Sequence, residues 1–253
     1  MKRFINKYTW YAVASIGVML LLWKGASMRY GSDVLLPSPE KTFSTACQLL
    51  GQAAFLKVVG YTVLRGLSGF AMAVVLGIGL GIPAGLSPGF RACISPVLVV
   101  IRSVPVVAFI LMALIWFSAD TVPVFIGFLT MFPLVCTNVM EGIRNVDKNW
   151  VEMAHFYRVG RARIIREVYI PAIAPFLFSG ASNAIGIGWR AIIVGEVLSQ
   201  PVYGIGTVMH TAQTFLNMDV LIAWTLLAVL ISFCFEQIIR GVERLTVRWR
   251  AVA

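Results

Sequence analysis

Charge is scarce in this chain. Only 13% of its 253 residues are Asp, Glu, Lys or Arg, against 59% hydrophobic, too few to cover a water-facing surface. Metal and redox chemistry also lack material. The two histidines, His155 and His210, are isolated, and Cys47, Cys93, Cys136 and Cys234 are far apart with no C-x-x-C pair, so neither a metal site nor a disulfide framework follows. No glycine is followed by lysine, so the phosphate-binding G-K-[ST] element is absent and the chain carries no nucleotide site of that kind. No cluster of His, Asp and Glu around a nucleophile suggests an enzyme. A net charge of +10 could speak for nucleic acid, but the basic residues sit at the ends of apolar runs and form no stripe interleaved with aromatics.

What the sequence has instead is long apolar segments, which predict an all-α integral membrane protein with six spans. The first runs from about Tyr8 to Ala26, long enough to cross a bilayer. It follows a basic start and lacks a convincing cleavage site, so it reads as an uncleaved helix, with removal by signal peptidase as the alternative. A polar connection leads to an amphipathic helix capped by Ser38 with Pro39 at its first position. The second span, 61–86, places Gly77, Gly81 and Gly85 on one face, where they permit close helix packing. The third ends near Phe117 and is interrupted by Arg102 and Pro105. The fourth covers 122–140, the fifth 171–197 and the sixth 220–239. The resulting organisation is an N-terminal unit (1–57), a core (58–240) containing a polar loop (141–170), and a basic tail (241–253).

With the N-terminus in the cytoplasm, fourteen of the 21 Lys and Arg residues fall in the segments then facing that side, against four on the other. The positive-inside rule favours this orientation, with both termini cytoplasmic. Six of the fourteen belong to the 141–170 loop. There Asn149 and Glu152 have the spacing of a capping box for a short helix running to about Val159, with Gly160 as terminator. Its apolar Trp150, Met153, Ala154 and Phe156 beside cationic neighbours suit docking into a groove of another protein. The alternative is an interfacial helix on anionic lipid.

Glu-Met-Ala at 152–154, with Ile170-Pro171 following at a fixed interval, resembles the EAA loop of the membrane subunits of binding-protein-dependent ATP-binding-cassette (ABC) importers. The segments LLPSPEKTF (35–43), LRGLSGFAMAVVLGIGLGIPAG (64–85), IRSVPVVAFILMALIWF (101–117) and GWRAIIVGEVLSQPVYGIG (188–206) are similar to the nitrate/taurine/aliphatic-sulfonate branch. That resemblance implies a six-helix, MetI-like permease of type I importers in the bacterial inner membrane. It implies partners: two cytoplasmic ATPase subunits that use ATP and Mg2+, a second permease copy and an extracytoplasmic solute-binding protein, with no cofactor or metal bound by this chain. Asn149, Glu152, Met153, Ala154, Arg158, Gly160, Ile170 and Pro171 become candidate ATPase-coupling residues. The sequence departs from the family at one point: glycine is usual six residues after the glutamate, where this chain has Arg158, which predicts a displaced or reshaped turn near Gly160.

Charges inside spans are costly and are candidates for function. Arg65 and Arg102 read as structural, bonding broken-helix carbonyls or snorkelling, with Arg102 also retained for the substrate pathway. Arg190 follows Gly186 and Gly188, and a glycine-loosened helix beside Trp189 and Arg190 could receive an anion. Glu196 lies about 120° further round the helix, so it is not expected to pair with Arg190; it reads as fixing the outer end of the fifth span or a gate, and is retained with Trp189 and Arg190 for the substrate pathway. The resemblance implies a small, anionic organic solute of the sulfonate, taurine or nitrate kind as cargo, with a vitamin or pyrimidine precursor as an alternative. A self-sufficient secondary transporter would also explain the spans, but it leaves the basic loop without a task.

Overall fold

A computed structural model describes residues 7–246, and among them every regular element is helical. Helix α1 (Lys7–Tyr30) is 24 residues long, about 36 Å at 1.5 Å per residue. Its outer surface is almost wholly apolar and exposed, with Trp10, Ile16, Met19, Leu21 and Leu22 turned away from the protein. It is tied to the rest at its C-terminal end, where Trp23 Nε1 donates to Pro37 O (3.1 Å) and Ser27 Oγ to Leu36 O (2.9 Å). Helix α2 (Pro39–Leu50) starts as its sequence dictates: Ser38 caps it by accepting the N–H of Lys41, and Pro39 occupies the first turn, where a missing N–H costs nothing. Lys24 of α1 pairs with Glu40 of α2, and that ammonium holds the Glu40 carboxyl below its ordinary range.

The core is a stack of three long helices. Helix α6 (Thr121–Arg144) lies between α3 (Phe55–Leu86) and α9 (Ile170–Ser199), and these are the most extensive contacts in the fold. Small residues bring the backbones together. A Cβ at Gly77 would lie 2.8 Å from Val135 Cγ1, at Gly81 2.9 Å from Cys136 O, and at Gly85 2.7 Å from Ile143 Cβ. The stripe is longer than those three glycines. Gly69, whose Cβ would meet Val124 O at 2.9 Å, and the fully buried Ala73 extend it at the same four-residue interval. On the other face of α6, Gly188 of α9 receives Met131 and Gly180 receives Asn138. Helix α11 (Met218–Thr246) packs on α2, α9 and α10 (Ile205–Thr214). Phe55 stacks on Trp224 there, with ring centroids 5.5 Å apart.

Among the described residues four helices are long and apolar enough to cross a membrane: α3, α6, the continuous helical stretch Arg161–Ser199, and α11. A fifth crossing would be the pair α4 (Pro88–Ser103) and α5 (Val106–Trp116). The expected third span is therefore not one interrupted helix but two, meeting at 96°. The cause is Pro105, which forces Val104 into an extended conformation (φ −75°, ψ 130°) and has no N–H with which to continue α4. The fifth span likewise begins earlier than Pro171. Helix α8 (Arg161–Ile164) passes through a π-helical turn, Ile165–Tyr169, directly into α9. Pro171 cannot donate to the carbonyl four residues before it, and the wider turn absorbs that mismatch. The anticipated outer segment 198–217 contains α10.

Candidate functional site

At one end of the bundle lies α7 (Lys148–Phe156), a short helix between α6 and α8. Its start and stop differ from the sequence expectation. The cap is Asp147, whose Oδ1 accepts the Asn149 N–H at 2.9 Å, so Asn149 already lies inside the first turn. A carboxylate two residues earlier meets the positive helix end better than an amide does. The helix ends at Phe156, three residues short of Val159. Arg158 N donates to His155 O and Val159 N to Ala154 O, both 2.9 Å, and Arg158 sits at φ 55°. This is a Schellman turn whose left-handed position, normally glycine, is filled by arginine. The expected displacement does not occur: the turn keeps its place, and Gly160, at φ −63°, begins α8 instead of ending α7.

The two faces of α7 differ sharply. Ala154 is buried against the protein, while Trp150 is 59% and Phe156 84% exposed, flanked by exposed Met153 and Tyr157. Phe156 and Tyr157 meet edge to face at 5.6 Å. Behind the helix a cavity of about 470 Å³ is lined by Gly85, Ile143, Arg144, Lys148, Glu152 and Tyr169. Glu152 therefore faces the space between α7 and the bundle. Ile170 is exposed and Pro171 half-buried where the π turn passes into α9.

The residues expected to share a substrate pathway are separated. Trp189 is buried, and its Nε1 donates to Ala228 O of α11 at 3.0 Å. Arg190 is exposed and turns back to Gly186 O (3.3 Å). The helix is continuous through Gly186 and Gly188, so these glycines loosen nothing. Arg102, at the α4–α5 break, reaches α6, where its Nη2 donates to Pro133 O (2.7 Å) and to the Thr137 hydroxyl. It borders a cleft of about 240 Å³ that also includes Val104, Val106, Phe109, Thr130 and Ile187.

Glu196 belongs to a different place, the end of the bundle opposite α7. It is fully buried, and every partner is a donor. Arg65 Nη1 reaches Oε1 at 2.6 Å, the Thr62 hydroxyl at 2.9 Å, and Gly206 N donates to Oε2 at 3.0 Å. Arg65 also donates to Tyr203 O (2.7 Å) and to Asp120 Oδ1 (2.5 Å). Gly204 and Gly206 make the enclosure possible, since a Cβ on either would lie within 2.7 Å of Glu196 atoms. As expected, Glu196 does not pair with Arg190. Arg65, expected to snorkel or to bond helix carbonyls, bonds the Tyr203 carbonyl, and its pairing with Glu196 has no sequence signal beyond a glutamate followed eight residues later by Gly-Ile-Gly.

Comparison with known proteins agrees with this architecture. Residues 73–248 match the binding-protein-dependent transport system inner membrane component family. The taurine transport permease TauC of Escherichia coli is 24% identical over 97% of this chain and 91% of its own. The putative aliphatic sulfonates permease SsuC of the same organism is 30% identical over 92% and 89%. The bicarbonate permease CmpB of Synechococcus elongatus is 30% identical over 54% and 50%. Among solved structures, an inward-facing MetNI methionine ABC transporter superposes with a TM-score of 0.58 at 14% identity, over 75% of this chain and 96% of the other. An amino acid ABC transporter superposes at 0.52 and 21% identity, over 78% and 99%. These structural likenesses concern the fold. The chain belongs to the binding-protein-dependent transport system inner membrane components, the permease subunits of ABC transporters.

Proposed function

We propose that this chain is the membrane half of an ATP-driven importer for a small anionic organic solute, moved by a separate ATPase that seats on α7. The observation that carries the reading is the two-sidedness of α7. A short, doubly capped helix is fixed to its own bundle through Ala154 and presents Trp150, Met153, Phe156 and Tyr157 outward among arginines. A rigid helix joined to two long ones transmits rigid-body motion, whereas a flexible loop would absorb it. ATP and Mg2+ act in the partner. The assembly is two copies of this chain, two ATPases and an extracytoplasmic binding protein. In this reading α1 and the bent α4–α5 pair complete six crossings, α7 and both termini face the cytoplasm, and Glu196 faces the other side. Relatives named for taurine, aliphatic sulfonates and bicarbonate support an oxyanion as cargo.

Exposed aromatic anchors commonly contribute ~2 kcal/mol or more to an interface, about thirtyfold in affinity. Trp150→Ala and Phe156→Ala are therefore each expected to strip the ATPase from the purified complex while leaving the fold's thermal stability intact. Ala154→Arg is expected to lift α7 from its own bundle and to lower both. Retention of stoichiometric ATPase by the Trp150→Ala/Phe156→Ala double variant would remove α7 as its seat.

A further inference from the structure

Arg102 stands at the one place in the described residues where a crossing is broken, and it borders a cleft. Pro105 ends α4 and turns α5 away at 96°, opening about 240 Å³ against α6 and α9. That space has room for several waters or for a solute of a few heavy atoms. The wall is apolar apart from two side chains. Val104, Val106, Phe109, Ile126 and Ile187 supply the surface, and Thr130 has committed its proton to Ile126 O at 2.8 Å. Arg102 is the single charged residue lining the cleft. Its two described hydrogen bonds, to Pro133 O and the Thr137 hydroxyl, both leave from Nη2. A guanidinium has five N–H donors in a planar fork. Anchored by one nitrogen to α6, it keeps Nε and Nη1 for a ligand.

We propose that Arg102 is the residue that selects a small oxyanion, a sulfonate or carboxylate, within the translocation cleft, and that Arg190 does not share this task. The assignment rests on the reading of this chain as the permease of an anion importer. The charge attracts the oxyanion and the fork fits two of its oxygens, while the apolar wall accommodates a short organic tail. Arg190 points back to its own helix at Gly186 O and does not border this space.

Because the cargo itself is unidentified, the test uses charged thiol reagents as stand-ins. Thr130→Cys, and separately Val106→Cys on the opposite wall, are introduced into the full chain with Cys47→Ser, Cys93→Ser, Cys234→Ser and Cys136→Ala. The complex, with its ATPase, is placed in lipid nanodiscs open on both faces. The probes are a sulfonate-bearing methanethiosulfonate and its trimethylammonium counterpart, with rates normalised to those on free cysteine. The expected result is an anion preference of about tenfold, the scale of one partly solvated charge acting on a nearby ion. Arg102→Gln is expected to abolish the preference, Arg102→Lys to keep most of it, and Arg190→Gln to leave it unchanged. Equal rates for the two reagents, no reaction at either cysteine, or the same loss in Arg102→Lys as in Arg102→Gln would overturn the assignment. Loss of ATPase binding in the α7 variants is a separate readout, so either reading can fail without the other.

Discussion

The two ends of this bundle solve opposite problems with the same residue type. At the end away from α7, Arg65 is enclosed and bonded through both terminal nitrogens: Glu196 and Asp120 take its charge, Tyr203 accepts a further N–H, and the Tyr61 ring lies beneath it with its centroid 5.7 Å away. At the α7 end, Arg158, Arg161 and Arg163 are exposed around an unpaired apolar helix face, and Arg158 also carries an unfavourable backbone conformation. The first arrangement is closed on itself and joins α3, α9, α10 and the turn before α6. The second leaves an apolar helix face uncovered. Helices are thus locked to one another at one end, while at the other a helix face is left open.

Breaking the closed end should have the largest effect. Glu196→Ala leaves the buried Arg65 guanidinium with only the exposed carboxylate of Asp120, and removing one partner of a buried pair costs about 3–5 kcal/mol. Thermal unfolding of the purified protein should show a large loss, with poor recovery from the membrane. The double variant Arg65→Met/Glu196→Leu removes both charges and should recover much of that loss, because the penalty lies in the orphaned charge. If Glu196→Ala alone were as stable as the native chain, the network would not be what locks this end.

The contrast also shows which parts of the molecule could be read from its sequence. The stripe of Gly77, Gly81 and Gly85 is legible because helix periodicity turns a spacing of four into a shared face, while the identity of α6 as the helix that fills it comes from the packing. Ser38 and Pro39 were legible because capping is local. The Arg65–Glu196 pair was not, since its residues are 131 positions apart and only the packing of α3 on α9 brings them together. Arg190 drew attention because it is a charge inside an apolar run. The sequence pattern could not show that its side chain turns back to its own helix while Arg102 borders the cleft. The α7 boundaries failed for a subtler reason. Glycine is the usual sign of the left-handed turn residue, but the turn is set by the hydrogen bonds from Arg158 and Val159, and the chain adopts it with arginine in place.

That substitution sharpens the comparison at a smaller scale. An L-residue in the left-handed region crowds its Cβ against the next carbonyl at a cost of roughly 1–2 kcal/mol, partly offset because glycine loses more chain entropy on folding. Arg158→Gly is thus expected to stabilise the end of α7 by about 1 kcal/mol, seen as slower amide exchange from Met153 to Val159, with the far end unchanged. Faster exchange there would mean that the Arg158 side chain holds the turn, not that the turn tolerates it.

The smallest effect is expected where the closed end meets solvent. Asp120 and Glu196 both bond Arg65, at 2.5 and 2.6 Å, yet the Asp120 side chain is 62% exposed and that of Glu196 is fully buried. Distance alone would rank them as equals. Solvent screening and the freedom of an exposed side chain reduce the Asp120 contribution to about 0–1 kcal/mol, and an amide at this position still offers Arg65 Nη2 an oxygen. Asp120→Asn should therefore shift thermal stability by only a few tenths of a kcal/mol, and raising the salt concentration should shrink even that difference. The buried Glu196 pairing should be nearly insensitive to the same salt series. A large, salt-independent loss in Asp120→Asn would mean that the network is closed from its exposed side, and that the turn between α5 and α6 is a structural member of the lock.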